Sequence, residues 1–136
     1  MIYYYYHYGN NKERTEYNNL SMTILYKNKT AKEQFCSEYK KKWRYPDQVK
    51  KKLEAAETFI INSDSLLDVA NYPPFHFERL KGNRKDEWSI RLGNTGYRVT
   101  MIPCDDNGNE IVDGDIIAQC KMIKIVKVTE VSNHYE

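Results

Sequence analysis

Arg91 and Arg98 stand on either side of a short glycine-bearing turn, each on the polar side of an alternating run. Trp88, Ile90 and Leu92 share one face at the two-residue period of a strand, and Ser89 and Arg91 take the other. The next run repeats the pattern, with Tyr97, Val99 and Met101 on one face and Arg98 and Thr100 opposite. Just upstream, Leu80-Lys81-Gly82-Asn83-Arg84-Lys85 adds three more cations in a loop. Guanidinium forks match the oxygens of a phosphate, and a lysine adds a point charge beside them. A hairpin with arginines on its wet face, behind a basic loop, is suited to holding an anion.

The elements that must carry this hairpin follow from pattern. Thr23-Ile24-Leu25-Tyr26 reads as a first strand. Thr30-Ala31-Lys32-Glu33 has the form of a capping box and predicts a helix starting there, with Phe35, Cys36, Tyr39 and Trp43 along one face. Tyr45-Pro46 ends that helix, because the residue before a proline avoids the helical region, and Pro46 can open the next one. Val49, Leu53, Ala56 and Ile60 recur at helical spacing, so the second helix is amphipathic and antiparallel to the first. Residues 63–74 form a linker with a short helical turn at Leu66–Ala70. Strands are predicted at 75–80, 87–92 and 97–103, then a turn at Asp105-Asp106-Asn107-Gly108, then β-prone runs at 116–120 and 123–131. The expected fold is α+β, with two N-terminal helices packed on an antiparallel β-sheet.

The bulk numbers bound the partners. With 136 residues the chain is long enough for one domain with a substantial core. Residues 1–21, with Tyr3, Tyr4, Tyr5, Tyr6 and Tyr8 near the start, form an extension that is either an extra strand or a poorly ordered tail, and 22–136 form the domain. The net charge is only +2, but residues 27–52 hold ten basic residues, Lys40, Lys41 and Lys42 among them, against three acidic ones. That asymmetry suits a polyanion, although a lysine-rich face also serves solubility alone. Cys36, Cys104 and Cys120 are odd in number and widely spaced, which argues against a disulfide framework or a zinc site and fits a reducing cytoplasm. His7, His76 and His134 show no metal-ligand spacing, no cofactor motif is present, and no apolar run approaches membrane-spanning length.

Leu80-Lys81-Gly82-x-Arg84-x-x-x-Trp88-Ser89-Ile90, then Tyr97-Arg98 and a terminal Val128-x-x-Val131-x-x-His134, resemble the HigB branch of the RelE/ParE toxins, the toxin halves of type II toxin–antitoxin pairs. The resemblance spans residues 22–134. It implies a RelE-like, microbial-RNase-like fold and a ribosome-dependent endoribonuclease that cleaves translated mRNA without a metal. It also implies a cognate antitoxin, typically a helix-turn-helix protein, and no specific DNA contact by the toxin itself. Residue by residue, Lys81 matches the lysine of the family's Leu-Lys-Gly motif and Arg98 the arginine set at the scissile phosphate. His134 matches the histidine of the family's Asp-Tyr-His tail, and Arg91 falls where RelE-type members carry a strand lysine. Glu78 stands where close relatives have a histidine, with His76 two residues upstream. Ser132-Asn133-His134 replaces Asp-Tyr-His.

Metal-free RNA cleavage needs a base for the 2′-hydroxyl, cations for the crowded phosphorane and an acid for the leaving 5′-oxygen. Glu78 and His134 are the candidates for proton transfer, Arg98 and Arg91 for charge stabilisation, and Lys81 for an added charge. Arg84, Lys85, His76, Tyr97, Lys40, Lys41 and Lys42 are the candidate RNA contacts. Each has a plainer reading: a histidine near a chain end is usually solvated, and Glu78 can pair with surface cations. Two other functions fit the same pattern, a ParE-like inhibitor of DNA gyrase and a non-catalytic RNA- or ribosome-binding module.

Overall fold

The computed structural model describes residues 21–39 and 45–133. Lys40, Lys41, Lys42, Trp43, His134 and the tyrosine-rich residues 1–20 lie outside the described residues. Among the described residues the fold is α+β, with a five-stranded sheet ordered β1-β5-β4-β3-β2 and four helices. The strands are β1 (Thr23–Tyr26), β2 (Glu78–Arg79), β3 (Trp88–Arg91), β4 (Tyr97–Cys104) and β5 (Ile125–Asn133). β1 runs parallel to β5 and the other pairings are antiparallel, so the sheet is mixed, not antiparallel throughout. A single strand preceding the helices carries no mark of its distant partner, and the parallel pairing closes only when β5 returns beside it.

The helices depart from expectation at their ends. α1 (Lys29–Phe35) is capped by Asn28, whose side chain accepts from the Ala31 amide at 2.8 Å, so Thr30 lies inside the first turn. Asparagine caps as well as threonine, and here it stands two residues earlier. The helix stops at Cys36, where the backbone turns extended (φ −67°, ψ 130°). Tyr39 therefore lies beyond the helix. α2 (Asp47–Asn62) follows Pro46 and buries Val49, Leu53, Ala56 and Ile60, as their spacing requires. α3 (Leu66–Ala70) matches the expected helical turn, with Ser65 as its cap.

Two predicted strands are shortened or replaced. In 75–80 only Glu78 and Arg79 pair, because Pro73 and Pro74 set a 3₁₀ turn through Phe75 and leave His76 left-handed (φ 45°, ψ 55°). The run 116–120 is not a strand. Asp115 caps α4 (Ile116–Gln119) by accepting from the Ala118 amide at 3.1 Å, and the cap overrides the β-branched pair Ile116-Ile117. Among the described residues no helix is long and apolar enough to cross a membrane.

Residues paired across neighbouring strands share a sheet face. One face carries Ile24 and Tyr26, Val126 and Val128, Val99 and Met101, and Trp88 and Ile90, all buried in the core with α1, α2 and α3. The opposite face carries two polar rungs. Glu78, Ser89, Thr100 and Glu130 form one, and Arg91, Arg98 and Ser132 form the other. The register slips between Thr100 and Met101, so Thr129 is an extra residue of β5 at that point.

Candidate active site

The polar rungs bring three of the expected residues into one chain of contacts. His76 Nε2 lies 3.5 Å from one carboxylate oxygen of Glu78, and Arg98 Nη2 lies 3.7 Å from the other. The left-handed turn at His76, a conformation histidine tolerates better than bulkier residues, folds the imidazole back toward β2. Glu78 is on β2 and Arg98 on β4, so the ion pair spans β3. Ser89, the cross-strand partner of Glu78, is the β3 residue on that face, and its short side chain leaves the carboxylate a path across. Arg98 is largely covered while His76 and Glu78 are about half exposed. The guanidinium thus sits beneath an open imidazole–carboxylate pair.

Arg91 is the direct partner of Arg98 across the β3–β4 ladder. Two guanidinium groups on adjacent strands of one face repel each other, and an anion between them relieves that repulsion. Arg91 is exposed, as are Lys81 and Lys85 on the loop. Gly82 after Lys81 has φ +73°, the left-handed region where a side chain is strained, so the Leu-Lys-Gly turn needs its glycine. Tyr97 packs edge-on against Tyr45 at 5.7 Å between ring centroids, on the core side of the sheet. Burial, with Tyr97 alongside, pushes the Tyr45 phenol up to about 12.

Arg84, a candidate RNA contact, is bound within the fold. Its Nε and Nη2 donate to the two carboxylate oxygens of Glu87 at 2.8 and 2.7 Å, and Nη2 also donates to Glu130 at 2.8 Å. Glu87 further accepts from Thr129 at 2.8 Å, and Thr129 lies 2.6 Å from the Thr100 hydroxyl. A threonine has one hydroxyl proton, and that of Thr129 goes to the carboxylate, which can only accept. Thr100 is therefore the donor between the two hydroxyls. The hydrogen bonds from Arg84 hold the Glu87 carboxyl below its usual range, against the opposing effect of burial. The two carboxylates in turn push the Arg84 guanidinium up. This clasp ties the basic loop to β4 and β5 and leaves Lys81 and Lys85 as its outward cations.

His134 and Lys40–Lys42 fall outside the described residues. The preceding residue, Asn133, pairs with Tyr97, and Ser132 pairs with Arg98, so β5 crosses the arginine rung at Ser132. Among the described residues no group of His, Cys, Asp or Glu side chains is arranged to hold a metal ion. No protein-family model and no curated protein matches the chain.

Several residues of this face carry no distinctive sequence signal. Glu87 and Glu130 clasp Arg84 from positions 43 residues apart, a contact made by the register of β5. Ser89 is only 1% exposed, and its hydroxyl has no hydrogen-bond partner among the described residues. The alternation of β3 placed it on the wet face, and the side chains around it close over it.

Proposed function

We propose that the chain is a ribosome-dependent endoribonuclease of the RelE/HigB kind, the toxin of a type II toxin–antitoxin pair acting in the cytoplasm. The observation that carries this reading is the His76–Glu78–Arg98 chain, with contacts of 3.5 and 3.7 Å and Arg91 across the ladder. It joins a half-exposed carboxylate and imidazole to a pair of guanidinium groups, which supports a base and the charge stabilisation that metal-free RNA cleavage requires.

In this mechanism an RNA phosphate lies over Arg98 and Arg91. Glu78, supported by His76, takes the proton of the adjacent 2′-hydroxyl, and the freed oxygen attacks phosphorus. The P–O5′ bond breaks, and an acid, assigned to His134 on the family resemblance, gives its proton to the leaving 5′-oxygen. The products are a 2′,3′-cyclic phosphate and a 5′-hydroxyl end. The arginines carry the extra negative charge of the phosphorane, a task for which a planar fork suits better than an ammonium. Lys81 and Lys85 steer the polyanion toward the face. A face of this chemistry needs restraint in the cell, and a cognate antitoxin, helix-turn-helix in the family, is the proposed partner.

Induced expression followed by mapping of mRNA 5′ ends tests the reading. New 5′-hydroxyl ends within translated codons, lost with Arg98→Ala and with Glu78→Gln, support it. Intact mRNA with arrested DNA replication would point instead to a gyrase poison. Salt-sensitive RNA binding without any cleavage would reduce the face to a binding module.

A further inference from the structure

A cleft of about 140 Å³ opens at the edge of β3, beyond the point where β2 ends. Three aromatic rings meet at it, one from α2 and two from the 3₁₀ turn at Pro73–Phe75 and its cap. Phe59 of α2 lies 4.6 Å from Tyr72 and 5.0 Å from Phe75, and Tyr72 lies 4.8 Å from Phe75, between ring centroids. Tyr72 is 39% exposed although its ring packs against two others. The charged side chains lining the cleft are Lys52 and Arg91, both cations.

Gly93 explains how Lys52 comes to the mouth of the cleft. Its backbone is left-handed (φ +59°), and a Cβ built there would stand 3.0 Å from Lys52 Cε and 3.5 Å from Nζ. The bare glycine lets the lysine stem lie across it with the ammonium at the rim. Arg91, on the other side, is the ladder partner of Arg98, and Phe75 immediately precedes His76. Arg91 therefore belongs both to the cleft lining and to the arginine rung of the proposed cleavage site.

We propose that this cleft is a nucleotide subsite, taking one RNA base against the Tyr72 ring with the attached phosphate between Lys52 and Arg91. The inference rests on the nuclease reading for its meaning, since it makes the cleft the seat of a nucleotide adjoining the scissile phosphate. The ligand needs a flat, largely apolar ring and an anion one linkage away. Every base offers such a ring, and stacking on an aromatic side chain is tolerant of sequence. The cationic rim matches a phosphate, and the short cleft matches one residue of a polynucleotide better than a length of helix.

The test is a titration of the ¹⁵N-labelled full chain, followed by NMR, with uridine 3′-monophosphate, adenosine 3′-monophosphate, adenosine and inorganic phosphate in separate arms. The two nucleotides are expected to shift the Gly93 and Leu92 amides at concentrations where phosphate and adenosine alone do not. Tyr72→Ala should weaken nucleotide binding about tenfold, the size of one lost stacking contact. Lys52→Ala should weaken the nucleotides but leave adenosine unchanged. If the nucleotides leave Gly93 unmoved, or if Tyr72→Ala binds them as the parent does, the subsite is wrong even where mRNA cleavage is intact. If they bind at Gly93 through Tyr72 while no cleavage occurs, the subsite stands and the nuclease reading falls.

Discussion

The Glu78 carboxylate reaches across β3 to within 3.7 Å of the Arg98 guanidinium, joining the two outer members of a three-strand span through the space above Ser89. An ion pair of this kind contributes little to stability, since Glu78 is about half exposed and its charge is screened. It matters as a poised arrangement. In the proposed mechanism an RNA phosphate entering the face would compete with Glu78 for the guanidinium and leave the carboxylate free to accept a proton.

Arg98→Ala is therefore expected to lower the cleavage rate by about 10²–10³, the cost of removing one preorganised donor at a developing charge. Its thermal midpoint should fall far less than its rate, because the Glu78 pair it loses is screened by solvent. Arg98→Lys should recover part of the rate but not all, since an ammonium cannot make the forked contact. Single-turnover cleavage on programmed ribosomes, beside a thermal melt, separates these outcomes. An unfolded Arg98→Ala protein would recast the arginine as structural.

Glu78→Gln keeps the shape of the side chain but removes the base, and a loss of about 10²–10⁴ in rate is expected. His76→Gln should fall less far, because the imidazole acts on Glu78 and touches no reacting atom in the mechanism. If His76→Gln were the more damaging of the two, the base would be the imidazole and the carboxylate its support.

How far the site was legible depended on the range of each contact. The β3–β4 hairpin was readable because alternation is local: Trp88, Ile90, Val99 and Met101 are buried where the period put them. The α2 stripe was readable for the same reason. His76 and Glu78 were expected together on one strand face, and they do meet, but through a left-handed turn after two prolines instead of a continuous strand. The parallel β1–β5 pairing and the Glu130 arm of the Arg84 clasp left no trace in any short window, because each joins residues far apart in the chain. Arg84 looked like a free loop cation for that reason. The 116–120 run misled because β-branched residues suggest a strand, while Asp115 one position earlier decides for a helix.

The Arg84 clasp should be visible as stability. Arg84→Ala removes a bidentate pair and leaves the Glu87 carboxylate with the Thr129 hydrogen bond and the nearby charge of Lys27. Because the arginine is partly exposed, the expected cost is about 1 kcal/mol. That corresponds to a midpoint lowered by about 3–4 °C for a domain of this size. Cleavage per folded molecule should change far less than in Arg98→Ala. A loss of RNA affinity with no change in melting would return Arg84 to the role of a phosphate contact.

The three free cysteines, Cys36, Cys104 and Cys120, are all buried. Burial pushes the Cys104 thiol up to about 12 and raises that of Cys120 as well. Thiolate is the reactive form, so at pH 8 a thiol near 12 is ionised to about one part in ten thousand. A disulfide exchange reagent should label the native protein slowly and label all three thiols at once after unfolding in urea. Rapid labelling of Cys104 in the folded protein would contradict its enclosure beneath the sheet end.

Glu87 gives the fold a defined acid response. Arg84, through its hydrogen bonds, holds the Glu87 carboxyl below its ordinary range in the folded state. In the unfolded chain the same group titrates near ~4.3. Above that pH both states are ionised and the stabilisation is complete. As the pH falls further, the unfolded chain takes up a proton that the folded protein still refuses, and stability declines until the folded carboxyl also titrates. Urea midpoints measured at pH 7, 4 and 3 should fall more steeply for the parent than for Glu87→Gln, which begins lower at pH 7 but has no proton to gain there. Parallel declines in the two proteins would place the acid sensitivity on other carboxylates and show that the Arg84–Glu87 pair is weaker in solution than its 2.7 and 2.8 Å contacts imply.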